Sequence, residues 1–531
     1  MNPRVLALVV VLLLAAPLLA QQFDPAPANV IIDQLTADLA RLKAEVNKTT
    51  PGGVVIRVPA GADLQAALDL AQPGQTILLA PATFIGNYTL RKKASAGVIT
   101  IRTDGLDDAA IPPGVRVTPA LSPRMAKLGP KEAAVQTLTA EFGADGYTLI
   151  GIEFLPNLVL PDRPLVMFGW NAPTLADQPT HITFDRVYMH GSPEKGGHTG
   201  CNCHGAFITL INSWLSDFWE VGRDSQAFGA YNGAGPYLIE NNYLEASGEN
   251  ILFGGADPAI PGLITSDIVI RRNHFFKPLA WKTKLGSVKN LFELKNAQRV
   301  LVEFNVFENI WADSQSGNAI VFTPRNQSGG CPWCVVQDVV FQYNVLKHVQ
   351  TYAFNVLGLD NNQVTTTSSG RITIRHNLIE AARGVLMQDK VDGLTFDHNL
   401  LVGVTGQMFA LGGGPLKNIR VTNNLMRSGL YGITGDGSTV IGLPTLVACC
   451  TPFVFTNNVI ELTASGFVAY PPGNFLLPFA TLLKRLSAGF VFTETVGQAS
   501  TDAPIALGPD LPKLLQGLTG VAPAPLADIT P

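Results

Sequence analysis

Leu301-Val-Glu-Phe-Asn305, Val340-Phe-Gln-Tyr-Asn344, Thr373-Ile-Arg-His-Asn377 and Thr395-Phe-Asp-His-Asn399 share one pattern. A short run of alternating apolar residues stops two positions before an Asn, and another apolar residue follows. Working outward, the pattern recurs at Val269-Ile-Arg-Arg-Asn273 and Leu238-Ile-Glu-Asn-Asn242 on one side. On the other it recurs at Arg420-Val-Thr-Asn-Asn424 and Val454-Phe-Thr-Asn-Asn458. Less regular relatives are Thr183-Phe-Asp-Arg-Val187 and Thr209-Leu-Ile-Asn-Ser213. Successive Asn residues lie 22 to 39 positions apart. A fixed motif with variable insertions describes a solenoid, and period-two alternation makes it a β-solenoid. The expected fold is all-β: a single-stranded right-handed parallel β-helix with an N-terminal capping helix and a C-terminal cap. Asn suits the turn because it tolerates the left-handed backbone region. Stacked coils would put these amides about 4.8 Å apart, where they can bond as a ladder. The Asn residues are therefore read as structural.

The flanking segments divide the chain. Residues 1–20 read as a signal peptide: Arg4, an apolar run from Val5 to Ala16, then small Ala20 before Gln21. The run is shorter than the ~20 residues that span a bilayer, so cleavage is expected, with no transmembrane span afterwards. Residues 21–50 form a linker and an amphipathic helix with Ile32, Leu35, Leu39, Leu42 and Val46 on one stripe. That helix either packs on the domain or forms a short oligomerisation stalk; the oligomeric state is left open. Residues 51–465 are the β-helix, and 466–531 a C-terminal cap and tail. Charged residues are 15% of the chain and the net charge is −4, which argues against a nucleic-acid partner. The cysteines fall in close pairs, Cys201/Cys203, Cys331/Cys334 and Cys449/Cys450. Local disulfides suit export, although adjacent Cys449 and Cys450 would bridge only under strain.

The stretch Asp63-Leu-Gln-Ala-Ala-Leu-Asp-Leu-Ala-Gln-Pro-Gly-Gln-Thr-Ile-Leu-Leu-Ala80 reads as a helix that breaks at Pro73-Gly74 into a strand. It resembles the opening of pectin-lyase-like β-helix proteins, where a helix caps the first coil. An uncapped end would expose core and strand edges.

Candidate chemistry sits on strands after the Asn turns. In Asn290-Leu-Phe-Glu-Leu-Lys-Asn296, alternation points Phe292 and Leu294 inward and Glu293 and Lys295 outward. One coil on, Thr323 and Arg325 lie outward. Glu249 stands just before its strand, and Asp224, Gln226 and Tyr231 lie a coil earlier. The loop Lys277-Pro-Leu-Ala-Trp-Lys282 is expected to overhang them, with Trp281 as a sugar platform. Cations beside carboxylates suit an acidic polysaccharide. Proton removal next to a uronate carboxylate needs a base, here Lys295, and a neutralising charge, here Arg325. Asp224, Glu249 and Glu293 would be ligands for Ca2+. The plainer reading of Glu293 and Lys295 is an ordinary ion pair.

This layout is similar to the polysaccharide-lyase families built on the β-helix, including alginate and chondroitin-type lyases. The resemblance implies a secreted or envelope-located bacterial lyase. The chain lacks the Trp-Ile-Asp-His and Arg-x-Pro-x-x-Arg signatures of the main pectate lyases. It also lacks the Asn-Thr-Asp, Asp-Asp, Gly-His-Gly and Arg-Ile-Lys series of polygalacturonases. From Asp224-Ser-Gln-Ala227 to Cys331-Pro-Trp-Cys334 it resembles bacterial β-helix repeat proteins of no assigned activity, so the alternative is a non-catalytic glycan-binding, adhesive or cell-surface scaffold. A second cluster, His190 to His204 with Cys201 and Cys203, holds donors for zinc or copper but reads first as a glycine-rich disulfide loop. Cys331-Pro-Trp-Cys334 reads as a loop staple.

Overall fold

The computed structural model describes residues 26–46, 53–106, 111–131, 135–158, 163–283, 287–362, 364–436, 441–462, 469–477 and 507–522. The expected signal peptide lies outside these residues, as do 478–506. The chain winds as a right-handed parallel β-helix. Each coil contributes strands to three faces. One coil runs Tyr237–Glu240 on the first face, Tyr243–Ala246 on the second and Glu249–Phe253 on the third. The next repeats this with Thr265–Arg271, His274–Phe276 and Asn290–Leu294. Among the described residues the first face stacks 14 strands, all parallel and in register. Inward residues build one continuous core: Ile239, Ile270, Val302, Phe341 and Ile374 from the first face, and Phe253, Leu294, Phe322 and Phe354 from the third.

The Asn residues form the expected ladder at the corner between the first and second faces. Asn305 donates its backbone N–H and its Nδ2 to Oδ1 of Asn344, at 2.9 and 3.0 Å. Its Nδ2 also donates back to the Ile270 carbonyl at 3.0 Å. The same bonds repeat from Asn242 to Asn458. Ser213 opens the series and Asn474 closes it. Asp could not replace Asn here, because the Nδ2 donor would be lost and buried charges would stack.

The ladder Asn is not the left-handed residue of the turn. The left-handed residue is the one before it: Asn241, Arg272, Phe304, Tyr343, His376, His398, Asn423 and Asn457 have φ of 52 to 59°. The ladder Asn points inward and is fully buried from Asn242 to Asn458. It is selected for hydrogen bonding, while the corner residue turns outward and makes stacked rings from Phe304 through Tyr343 and His376 to His398.

Two faces are covered by the chain's own ends. The helix Ala26–Val46 packs Leu35, Leu39 and Leu42 onto the outward Leu238, Val269, Leu301 and Val340 of the first face. This is the packed alternative, not a stalk. Each buried Leu contributes about 2 kcal/mol. The helix Leu64–Leu70 starts at Asp63, whose side chain accepts from the Ala66 N–H, and buries Leu64, Ala67 and Leu68 over the first coils. The C-terminal helix Leu511–Gly517 does not continue off the far end. It folds back along the second face, where Leu511, Leu514, Leu518 and Val521 cover Val345, Leu378, Leu400 and Leu425. Arg116 and Arg272 fasten it through the Val521 and Gly517 carbonyls. Among the described residues, no helix is long and apolar enough to cross a membrane.

Candidate functional site

Over the coils that carry the candidates, the third face has no α-helix on it in the described residues, and its outward side chains mix polar Glu293 and Lys295 with apolar Leu252 and Val321. The strands following the Asn turns directly are those of the second face. The strands that carry the candidates come one turn later, on the third. This corrects the sequence reading, which skipped a strand as short as Tyr243–Ala246. Register aligns Thr199, Gln226, Glu249 and Asn290 in one column. Thr199 Oγ1 donates to Gln226 Oε1 at 3.0 Å, and Gln226 Nε2 to Glu249 Oε2 at 2.8 Å. Further along the strands, Leu252, Glu293 and Val321 align in turn.

Glu293 and Lys295 share the outer side as expected. Lys295 Nζ lies 2.6 Å from Glu293 Oε1 and donates to Thr323 Oγ1 at 2.8 Å. Asn290 Nδ2 donates to the other Glu293 oxygen at 3.3 Å. Arg325 sits one coil on, its N–H bonded to the Lys295 carbonyl at 3.0 Å. Its guanidinium donates to Asp360 Oδ1 at 2.7 Å, and that carboxylate is fully buried. Asp360 also accepts the Asn326 N–H at 2.8 Å. The Cys331–Cys334 disulfide lies in the same loop, where Cys331 N–H donates to Asn326 Oδ1. That agrees with a loop staple.

Asp224 and Glu249 are joined through a residue that sequence reading missed. Lys289 Nζ pairs with Asp224 and lies 3.8 Å from Glu249 Oε1. It stands directly before the motif Asn290–Asn296, at the end of a loop whose length hides its partner. Burial opposes charge on Lys289, but Glu249 and Asp224 outweigh it and hold the ammonium above the usual lysine range. Burial, then the charges of Glu293 and Asp224, push the Glu249 carboxyl up to about 8, against the pull of Lys289 and Gln226. Lys277, beneath this turn, is fully buried. Its ammonium donates to the carbonyls of Ala246, Ser247 and Gly248 and to Asn250 Oδ1, at 2.6 to 3.0 Å. Burial lowers it to about 7, with Glu249 and Glu245 pulling the other way. Lys277 thus fixes the turn that delivers Glu249.

Other expectations meet a different geometry. Trp281 is 5% exposed and belongs to the core, so its ring offers no open face to a sugar. Tyr231 is half-buried and meets His204 edge-on at 4.3 Å, one position past its strand in the column that leads to Lys295. The donors from His190 to His204 do not converge. His190 bonds Glu153, His198 faces Glu220, and His204 is buried with Nδ1 accepting the Tyr231 and Asn232 N–H groups. Burial drives His204 down to about 3, so it stays neutral. Cys201 and Cys203 are bridged, while Cys449 and Cys450 are free and buried.

The carboxylates fit a bound Ca2+ poorly. The ion takes 6–8 oxygens. Both oxygens of Glu249 and both of Glu293 already face an ammonium or an amide, and Lys289 stands on Asp224. Among the described residues no group of three or more His, Cys, Asp or Glu is arranged to hold a metal.

No protein-family model matches the chain, and no curated protein matches it. Solved structures do. The family PL6 alginate lyase AlyGC aligns with a TM-score of 0.50 at 14% identity, over 80% of this chain and 53% of that one. The chain therefore spans about half the length of AlyGC. A mannuronic-acid-specific polysaccharide family 6 lyase from human gut microbiota aligns with a TM-score of 0.51 at 13% identity, over 88% of this chain and 99% of that one. At such identities the likeness establishes the shared right-handed parallel β-helix.

Proposed function

We propose that the protein is an exported polysaccharide lyase that cleaves an acidic, uronate-containing chain by β-elimination along its third face. The observation that carries this reading is the stacking of Lys295 and Arg325 on neighbouring coils, joined by the 3.0 Å backbone bond and both on the outer side. Arg325 would neutralise the uronate carboxylate and so acidify the adjacent C–H. Lys295, as the free amine, would take that proton. The electron pair forms the C=C bond as the glycosidic C–O bond breaks, and the departing oxygen takes a proton from the Lys295 ammonium or from water. The lyases that share the fold lend support, since one acts on alginate and the other is specific for mannuronic acid.

A second reading is a non-catalytic glycan-binding β-helix. It is favoured by one observation: both cations already have carboxylate partners, Glu293 and Asp360. A screen on alginate, pectate and glycosaminoglycans separates the two. A lyase raises ultraviolet absorbance from unsaturated uronate ends. Retention on an immobilised polysaccharide with no absorbance rise favours the binder.

A further inference from the structure

The charge balance of the third face carries one inference further. Three carboxylates meet there: Asp224 from one coil, Glu249 from the next and Glu293 from the one after. Such a set repels itself unless a cation stands among them. The chain delivers one of its own. Lys289 ends the loop between the second and third faces. That loop reaches across to the loop two coils earlier, where Ser287 N–H donates to the Glu220 carbonyl at 2.8 Å and Gly222 N–H donates to Ser287 Oγ at 2.8 Å. These bonds anchor the backbone two residues before Lys289 and aim its side chain at Asp224 and Glu249. The Lys289 side chain is only 17% exposed, so it lies along the face and does not extend into solvent.

We propose that Lys289 is a positioning residue that takes the place of a divalent cation among Asp224, Glu249 and Glu293, so that the face works without a metal. An ammonium supplies one positive charge where Ca2+ would supply two. The carboxylates are therefore only partly neutralised, and the net positive charge offered to an anionic chain is left to Lys295 and Arg325. The link to an anionic chain rests on the function proposed above; the exclusion of the metal does not.

The test is Ca2+ titration calorimetry on the chelator-treated full chain, with no polysaccharide present. Wild type should bind no Ca2+ at this face. Lys289→Ala and Lys289→Gln, which remove the ammonium, should each gain about one Ca2+ per chain, and adding Asp224→Asn should abolish that gain. Lys289→Arg, which keeps the charge, should stay without Ca2+. Stoichiometric binding by wild type that Glu249→Gln removes would overturn the proposal, as would folded Lys289→Ala and Lys289→Gln proteins that bind none. If both neutral variants fail to fold, the wild-type titration decides. Because no substrate enters the calorimeter, a failure here is distinct from a failure of the lyase reading. That reading is tested by the absorbance screen, where EDTA should leave the rate unchanged.

Discussion

Two polar columns run up this β-helix, and they obey different rules. At the corner of the first and second faces, identical amides stack from Asn242 to Asn458, and from Asn273 onward each Oδ1 accepts two bonds from the coil before. On the third face the column changes residue at every coil, from Thr199 through Gln226 and Glu249 to Asn290. The first column is neutral and closed upon itself. The second gathers charge, with Asp224, Lys289, Glu293 and Lys295 around it. A repeated element satisfies itself and carries structure. An unrepeated one leaves groups whose state depends on solvent and ligand, and there function has room.

This contrast can be broken in several places. The largest effect should fall on rate: Lys295→Ala should lower turnover on the responsive polysaccharide by about a thousandfold, with a loss of about 3 kcal/mol in urea unfolding as well, since it leaves the buried Glu293 carboxylate without its cation. The Asn ladder should act on stability alone. Asn305→Ala strands the Asn273 N–H and Nδ2, which both donate to it. It should cost about 3 kcal/mol in urea unfolding without touching the third face. Lys277→Met removes a buried ammonium from four acceptors and should cost about 2 kcal/mol. It should also lower activity by releasing the turn that carries Glu249, which would join the two columns' fates.

The smallest effect is a pH slope. The folded Glu249 titrates above an ordinary carboxyl. Between the usual glutamate value of 4.5 and about 8 the folded state binds more protons than the unfolded one, so stability falls as pH rises through that window. Glu249→Gln should flatten this fall, and thermal melts across the window would measure it. An unchanged slope would mean that Glu249 is ionised in the folded protein.

The two columns also differed in how plainly the sequence displayed them. The Asn ladder was visible because one residue type repeats after one pattern. Asn474 escaped because Pro471-Pro-Gly precedes it where a strand should. Glu293 and Lys295 were legible as a pair because strand alternation alone puts them on one side. Lys289 and Asp360 were not, since each meets its partner across coils separated by loops of unequal length. The burial of Trp281 is hidden for a similar reason: nothing in its short 3-10 turn, Leu279–Lys282, tells the core side from the solvent side.

The sequence by itself determined the coil: its period of apolar alternation, the amide at its corner, and the helices that precede it. These follow from local rules, because a side chain's face depends on its own strand and a buried amide needs only the same amide above it. The tertiary structure decided which charged groups meet. With 22 to 39 residues between successive Asn positions, neighbours across coils are fixed by stacking register and not by sequence distance. The pairs Lys289–Asp224 and Arg325–Asp360 exist only once the coils are stacked.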